Sequence, residues 1–291
     1  MKYFAIILLT LSLFGQHAPA PPAGEGAIAP SGPPPRFFIQ ASDPQFGMYA
    51  KNANFTQETA NFEFFITAVN RLKPQFVVIT GDLTNKPADA DQIAEFHRIA
   101  KKLDPSIKLY NLPGNHDVGN EPTPESLAKY RNNWGPDYYT FDYDNMRGIV
   151  LNSSLIQAPI NVQDAADKQE QWLREQLAKA KAEGKRIVIF QHIPFFLKSG
   201  DEPDQYFNVP QKYRSRYLAM FHQYGVEYIF AGHYHRNAEG HDGDLDMVVT
   251  GAVGMPIGPD PSGFRIVTLD LMKHPYISLG AIPNQVTANL K

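Results

Sequence analysis

The apolar positions change period along the chain. Nearly continuous apolar runs at 36–41, 76–80 and 108–112 are short and rich in Phe, Val, Ile and Tyr, which predicts buried strands. Between them the apolar positions recur every three or four residues. Phe62, Phe65, Ile66, Val69 and Leu72 form one helical stripe, which Pro74 ends, and Ile93, Phe96, Ile99, Ala100 and Leu103 form a second. Segments 138–143 and 148–151 read as a strand pair about the turn-prone Asp144-Asn145. A long helix fits 168–183, with Trp172, Leu173, Leu177 and Ala180 on one stripe and Gly184 just beyond its end as a C-cap residue. A strand at 186–190, a helix at 213–224, and strands at 227–230, 247–250 and 264–269 follow. The first two-thirds alternate strand and helix, implying parallel strands. The last third is strand-rich and suits antiparallel pairing. The pattern predicts an α/β fold of two mixed β-sheets packed face to face and flanked by helices.

The chain's beginning departs from this pattern. One Lys and then an apolar run over 3–14 predict a secretory signal peptide at 1–20, with Ala18-Pro19-Ala20 offering small residues for cleavage. The run is too short to span a bilayer comfortably, so the expectation is an exported protein, periplasmic or secreted, without stable membrane insertion. Residues 21–35 are dense in Pro, Gly and Ala and read as a linker. One domain, 36–291, is expected, and a monomer.

Composition narrows the chemistry. With 43% hydrophobic and 20% charged residues in 291, the chain fits a soluble globular protein. A net charge of −3, with no Lys or Arg block longer than a pair, argues against nucleic acid as a partner. There is no cysteine, so disulfides and thiolate ligands are excluded and any metal must be held by Asp, Asn, Gln and His.

Those residue types cluster just after the predicted strands. The segments are Ser42-Asp43-Pro44-Gln45, Gly81-Asp82-Leu83, Gly114-Asn115-His116-Asp117, Gln191-His192 and Gly232-His233-Tyr234-His235. Ligands of open α/β sheets sit outside the carboxyl ends of the strands, so five such loops converge on one edge. Polar side chains placed directly after an apolar strand are costly unless they bond something. The alternating His233 and His235 point the same way if their segment is extended. Together these segments predict one binuclear metal site.

This set resembles the calcineurin-like metallophosphoesterase superfamily. The wider segments 41–47, 114–120, 190–194 and 232–237 are similar to its calcineurin-like phosphoesterase domain-containing protein 1 branch, described as a serine/threonine phosphatase. The resemblance covers roughly 36–279 and implies a four-layer sandwich with two divalent metal ions. It places Asp43, Gln45 and His235 on the first metal, Asp82 between the two, and Asn115, His192 and His233 on the second. It makes His116 the general acid, with Asp117 orienting its ring. The superfamily's first motif carries His where Gln45 stands, and the branch also carries Gln there. An amide oxygen is a harder ligand than imidazole, which tilts the site toward Mn, Fe or Mg over Zn.

The implied function is a phosphatase that hydrolyses phosphomonoesters, including phosphoserine and phosphothreonine, with a metal-bridging hydroxide as nucleophile. Its partners would be a phosphorylated small molecule or a phosphoprotein. Few carboxylates among the ligands leave the loaded site positive, which attracts a phosphate dianion. A general acid supplies roughly 10²–10⁴-fold, so most of the acceleration must come from the metals. Two other readings share the motifs: a phosphodiesterase acting on cyclic nucleotides or phospholipid headgroups, and a non-catalytic exported binding protein with an impaired metal site. Asn120, Arg236 and Asn237 flank the motifs and are candidate substrate contacts. Segment 195–211, which holds Asp201, Glu202, Asp204, Tyr206, Phe207 and Asn208, reads as a rim loop shaping access.

Overall fold

In the computed structural model, which describes residues 36–281, the first apolar run becomes β1 (Phe37–Ala41), buried along its whole length. A strand covered on both faces has no polar face to show, which is why its sequence does not alternate. The expected signal peptide and linker lie outside the described residues. Among those described, no helix is long and apolar enough to cross a membrane.

β1, β2 (Phe76–Ile79) and β3 (Lys108–Asn111) are parallel neighbours, connected through α1 (Thr56–Leu72) and α2 (Ala90–Ala100). β10 (Gly263–Thr268) runs antiparallel to β1 and β11 (Tyr276–Ser278) antiparallel to β10, giving the order β11-β10-β1-β2-β3. The second sheet is ordered β4-β5-β6-β7-β9-β8. Its β5 (Met146–Val150), β6 (Arg186–Phe190), β7 (Val226–Ala231) and β9 (Leu245–Val249) are parallel. β4 (Tyr139–Tyr143) and β8 (Ala238–Asp242) pair antiparallel at its edges. The remaining helices are α3 (Asn115–Val118), α4 (Pro124–Trp134), α5 (Ser153–Gln157), α6 (Gln163–Ala182) and α7 (Gln211–Tyr224).

Three cores define four layers. Between the sheets, Phe38, Phe76, Val78, Phe190, Phe230 and Val248 interdigitate. The Phe38 ring stacks on Phe76 at 4.8 Å and meets Phe190 and Phe230 edge-on at 5.8 and 5.7 Å. Truncating such a ring to Ala typically costs about 3–5 kcal/mol. The outer face of the first sheet packs Ile39, Val77 and Ile79 against α1 and α2. The outer face of the second packs Ile149, Ile187, Ile189 and Ile229 against α6 and α7. At the carboxyl end of the inter-sheet core, buried Gln40 donates its Nε2 to Thr80 Oγ1 at 2.8 Å, while Thr250 Oγ1 donates to Gln40 Oε1. This polar stitch ties the two sheets together directly beneath the loops that carry the motifs.

The expected elements and the observed ones differ in places. α6 begins at Gln163, five residues before the expected start, because Ala166 and Gln169 are buried by the same face as Leu173. The last third is not uniformly antiparallel, since β9 runs parallel to β7. β8, β11, α3, α4 and α5 were not anticipated. β8 reads Ala-Glu-Gly-His-Asp, an edge strand with little apolar signal. α4 was signalled by Thr123, whose Oγ1 accepts from Ser126 N–H, followed by Pro124 at the first helical position.

Candidate metal centre

The five motif loops follow β1, β2, β3, β6 and β7 and interlock through their backbones. Asp43 N–H donates to Gly81 O at 3.1 Å, Gln45 N–H to Asp82 O at 2.9 Å, and Gly232 N–H to His192 O at 3.0 Å. Such close approach excludes side chains at the crossings. A Cβ on Gly114 would lie 2.0 Å from Asp82 Oδ1, and one on Gly232 would lie 1.7 Å from Ser42 Oγ. The same loops hold strain. Asp43, Gln45, Asp82, His233 and His235 all adopt positive φ, between 38° and 67°. Non-glycine residues persist there only where their surroundings over-determine them. The two histidines therefore do not alternate along an extended strand, as expected. They sit in left-handed turns after β7, and both still face the centre.

Each buried carboxylate divides its oxygens. Asp43 Oδ2 accepts from His233 N–H at 3.2 Å, while its Oδ1 has no hydrogen-bond partner and lies 3.3 Å from His235 Nε2. Asp82 Oδ1 accepts from His116 N–H at 2.8 Å, and its Oδ2 lies 3.2 Å from His192 Nε2. Gln45 is handled the same way. Its Nε2 donates to Asn85 Oδ1 at 3.1 Å, and its buried Oε1 has no partner.

Backbone carbonyls fix the imidazoles. A carbonyl can only accept, so the ring nitrogen facing it carries a proton and the other nitrogen is the one that can turn a lone pair to a cation. Thr80 O takes His192 Nδ1 at 2.8 Å, Met255 O takes His235 Nδ1 at 2.6 Å, and Tyr206 O takes His233 Nε2 at 3.2 Å. His192 Nε2 thereby faces Asp82 and Asn115 Oδ1, the latter at 3.1 Å. Asn115 Nδ2 donates to Asn120 Oδ1 at 2.9 Å, which turns the Asn115 amide oxygen inward.

Two groups of ligand atoms result: Asp82 with His192 and His233, and Asp82 with Asp43 and His235. In each, the atoms lie within 4.8 Å of one another. The shared Asp82 and the unpartnered Asp43 Oδ1 and Gln45 Oε1 fit two cations, since buried polar atoms are otherwise bonded. In the bare protein, protons carry part of that positive charge. Burial works to lower the pKa of His192, but the carboxylates of Asp82 and Asp43 push it up to about 9. Burial likewise opposes the shifts of Asp43 and Asp82, yet His235 and His192 hold Asp43 low and His192 holds Asp82 low. His233, buried and beside His192, falls to about 4.

Several assigned roles change. Asp117 does not orient the His116 ring. Its two oxygens accept from the N–H groups of Leu83, Thr84 and Gly114 at 2.9–3.1 Å and from Thr84 Oγ1. Asp117 clamps the Asp82 loop to the Asn115 turn, and burial together with Asp82 pushes its pKa up to about 7. The His116 ring is held instead by Asn85 O, 2.8 Å from its Nδ1. Asn85, unnoticed in the sequence, thus joins Gln45 to His116. Its only signal was a polar side chain three residues beyond Asp82. Asn120 positions Asn115. Asn237 Oδ1 accepts from Gly251 N–H and Arg265 Nη2, and Asn237 backbone N–H donates to Asp260 Oδ2. Arg236 donates to Ile257 O and stacks 5.1 Å over Tyr234.

Comparisons with known proteins agree with this geometry. The profile of the calcineurin-like phosphoesterase family matches residues 38–237. The chain is 38% identical over 263 residues to the serine/threonine-protein phosphatase CPPED1 of Bos taurus, covering 84% of each protein. It is 38% identical over 264 residues to that of Homo sapiens, again covering 84% of each. Among solved structures, a dimetal phosphatase from Danio rerio superposes with a TM-score of 0.60 at 18% identity, covering 81% of this chain and 93% of that one, a likeness of fold.

Proposed function

Because the chain belongs to the calcineurin-like phosphoesterase family, we propose that this metal-dependent phosphoesterase hydrolyses phosphomonoesters, on phosphorylated small molecules or on phosphoserine and phosphothreonine. The observation that carries the reading is Asp82, common to both ligand groups, beside two buried oxygens with no partner.

Asp43, Gln45 and His235 would hold one cation, Asn115, His192 and His233 the other, and Asp82 both. Two divalent cations there supply Lewis acidity toward phosphoryl oxygens and acidify water. The oxygen donors Gln45 and Asn115 support Mn, Fe or Mg over Zn. Being neutral, they also limit the negative charge that a phosphate dianion meets. His116 alone among the four histidines is partly exposed, and its Nδ1 is committed to Asn85 O. Its Nε2 is therefore the atom that delivers a proton to the leaving-group oxygen, a contribution of about 10²–10⁴-fold.

The test is turnover of p-nitrophenyl phosphate against its bis ester, on protein stripped and reloaded with each metal in turn. We expect faster monoester release, and a His116→Ala variant that keeps its metals while kcat falls by about 10²–10⁴-fold. Faster diester release would make the protein a phosphodiesterase. No turnover with any metal would remove the reading.

A further inference from the structure

Four side-chain amides run in a row from α2 to the metal centre. Gln92, buried on α2, accepts through Oε1 from two backbone N–H groups, those of Asn85 at 3.0 Å and Lys86 at 3.1 Å. A backbone N–H can only donate, so this amide has one permitted orientation. Its Nε2 donates to Asn52 Oδ1 at 2.9 Å, and Asn52 Oδ1 also accepts from Asn85 Nδ2 at 2.9 Å. Asn85 Oδ1 is thereby turned to accept from Gln45 Nε2 at 3.1 Å, and the buried Gln45 Oε1 is left without a partner. The row is tightly packed. A Cβ on Gly47 would lie 2.6 Å from Gln92 Nε2 and 2.9 Å from Asn52 Oδ1.

An amide has a donor end and an acceptor end of nearly equal size, so each member of such a row fixes the direction of the next. Only the carbonyl end of Gln45 can bind a cation, because the NH₂ end presents hydrogens. That choice of end traces back to Gln92, whose side chain bonds to Asn52, Asn85 and Lys86, none of them among the seven ligands.

We propose that this row is a polarity relay: Gln92, acting through Asn52 and Asn85, positions Gln45 with its oxygen toward the cation that it shares with Asp43 and His235, and so sets the affinity of that site. This rests on the two-cation reading of the centre. A merely structural Gln92 would only hold α2 to the loop after β2, and a carboxylate in its place would accept the same two backbone N–H bonds.

The experiment is a calorimetric Mn titration of metal-stripped wild type and three variants, beside the melting temperature of each metal-free form. Gln92→Glu keeps an acceptor for both backbone N–H groups but turns a second acceptor toward Asn52. Asn52 must then reverse, Asn85 after it, and Gln45 offers its NH₂ end to the cation. Asn52→Asp adds the same charge to the same cluster, yet it still accepts from Gln92 and Asn85 and leaves the row's direction unchanged. Asn85→Leu deletes the acceptor that holds Gln45, and it reads the same link if Gln92→Glu does not fold. We expect Gln92→Glu and Asn85→Leu to weaken one of the two Mn sites by about 10–100-fold, and Asn52→Asp to bind both ions as wild type does. Two sites of wild-type affinity in Gln92→Glu or in Asn85→Leu would overturn the proposal, even with a lowered melting temperature. So would equal weakening by Gln92→Glu and Asn52→Asp, or wild type that binds fewer than two ions. Wild type that binds both ions but turns over no ester removes the phosphoesterase reading, while the Mn affinities still decide the relay.

Discussion

Asp82 in the floor of the site and Glu202 in its rim are both buried carboxylates, but they are satisfied in different ways. Glu202 is saturated by its own loop, with two short backbone N–H bonds and an amide donor. Asp82 gives one oxygen to a backbone N–H and turns the other toward His192. Around it lie two oxygens with no partner, and Asp82 and four of its neighbours adopt positive φ. The rim needs nothing from outside to be stable. The floor's strained arrangement, with its unpartnered oxygens, is one that cations would complete. Changing conditions or residues in the floor should therefore alter metal binding, whereas changes in the rim that leave the Tyr206 carbonyl on His233 should act on stability and substrate binding.

The largest effect is expected from pH. The His192 pKa is pushed up to about 9 on folding. A ring whose pKa rises on folding stabilises the fold while protonated. That stability is complete below its ordinary value near 6.5 and gone as pH passes about 9. The melting temperature of metal-free protein should fall across this interval. Mn affinity at the site that includes His192 should rise by about 50-fold between pH 7 and 9, because the ion bound there must displace that proton. Affinity that is flat over this range would show that the floor does not hold the proton.

Asn120→Ala comes next. Freed from Asn120, the Asn115 amide can turn away, and loss of such a supporting contact typically weakens metal affinity by about 10–100-fold. A Mn titration should show one of the two sites weakened and the other unchanged. Equal weakening of both would break the division of ligands between the sites.

Glu202→Ala should do least. It strands several donors, at a cost of about 1–3 kcal/mol in stability. KM should rise by less than about 10-fold while metal content stays at two, because nothing in the floor bonds to Glu202. Loss of a metal in this variant would erase the contrast between floor and rim.

The two regions also differed in how far they could be read from sequence. The floor's polar side chains follow strands with strong apolar signals, so the gathering of Asp43, Asp82, Asn115, His192, His233 and His235 at one edge was legible by type and place. What oriented them was not, because Thr80, Met255, Tyr206 and Asn85 act through backbone carbonyls, which carry no side-chain signature. The left-handed turns of His233 and His235 were hidden too, since strain at non-glycine residues is imposed by tertiary contacts. The rim loop was recognised as irregular, but Glu202 and Arg214 look like surface charges until the fold buries them. Asp117 was misread for a related reason: it lies within a motif yet its oxygens bond to backbone N–H groups.

The sharing of Asp82 by two cations is tested most directly by anomalous diffraction from Mn-loaded crystals. The account predicts two peaks about 3.5–4 Å apart, both bonded to the Asp82 carboxylate. A single peak, or two peaks of which only one touches Asp82, would contradict it.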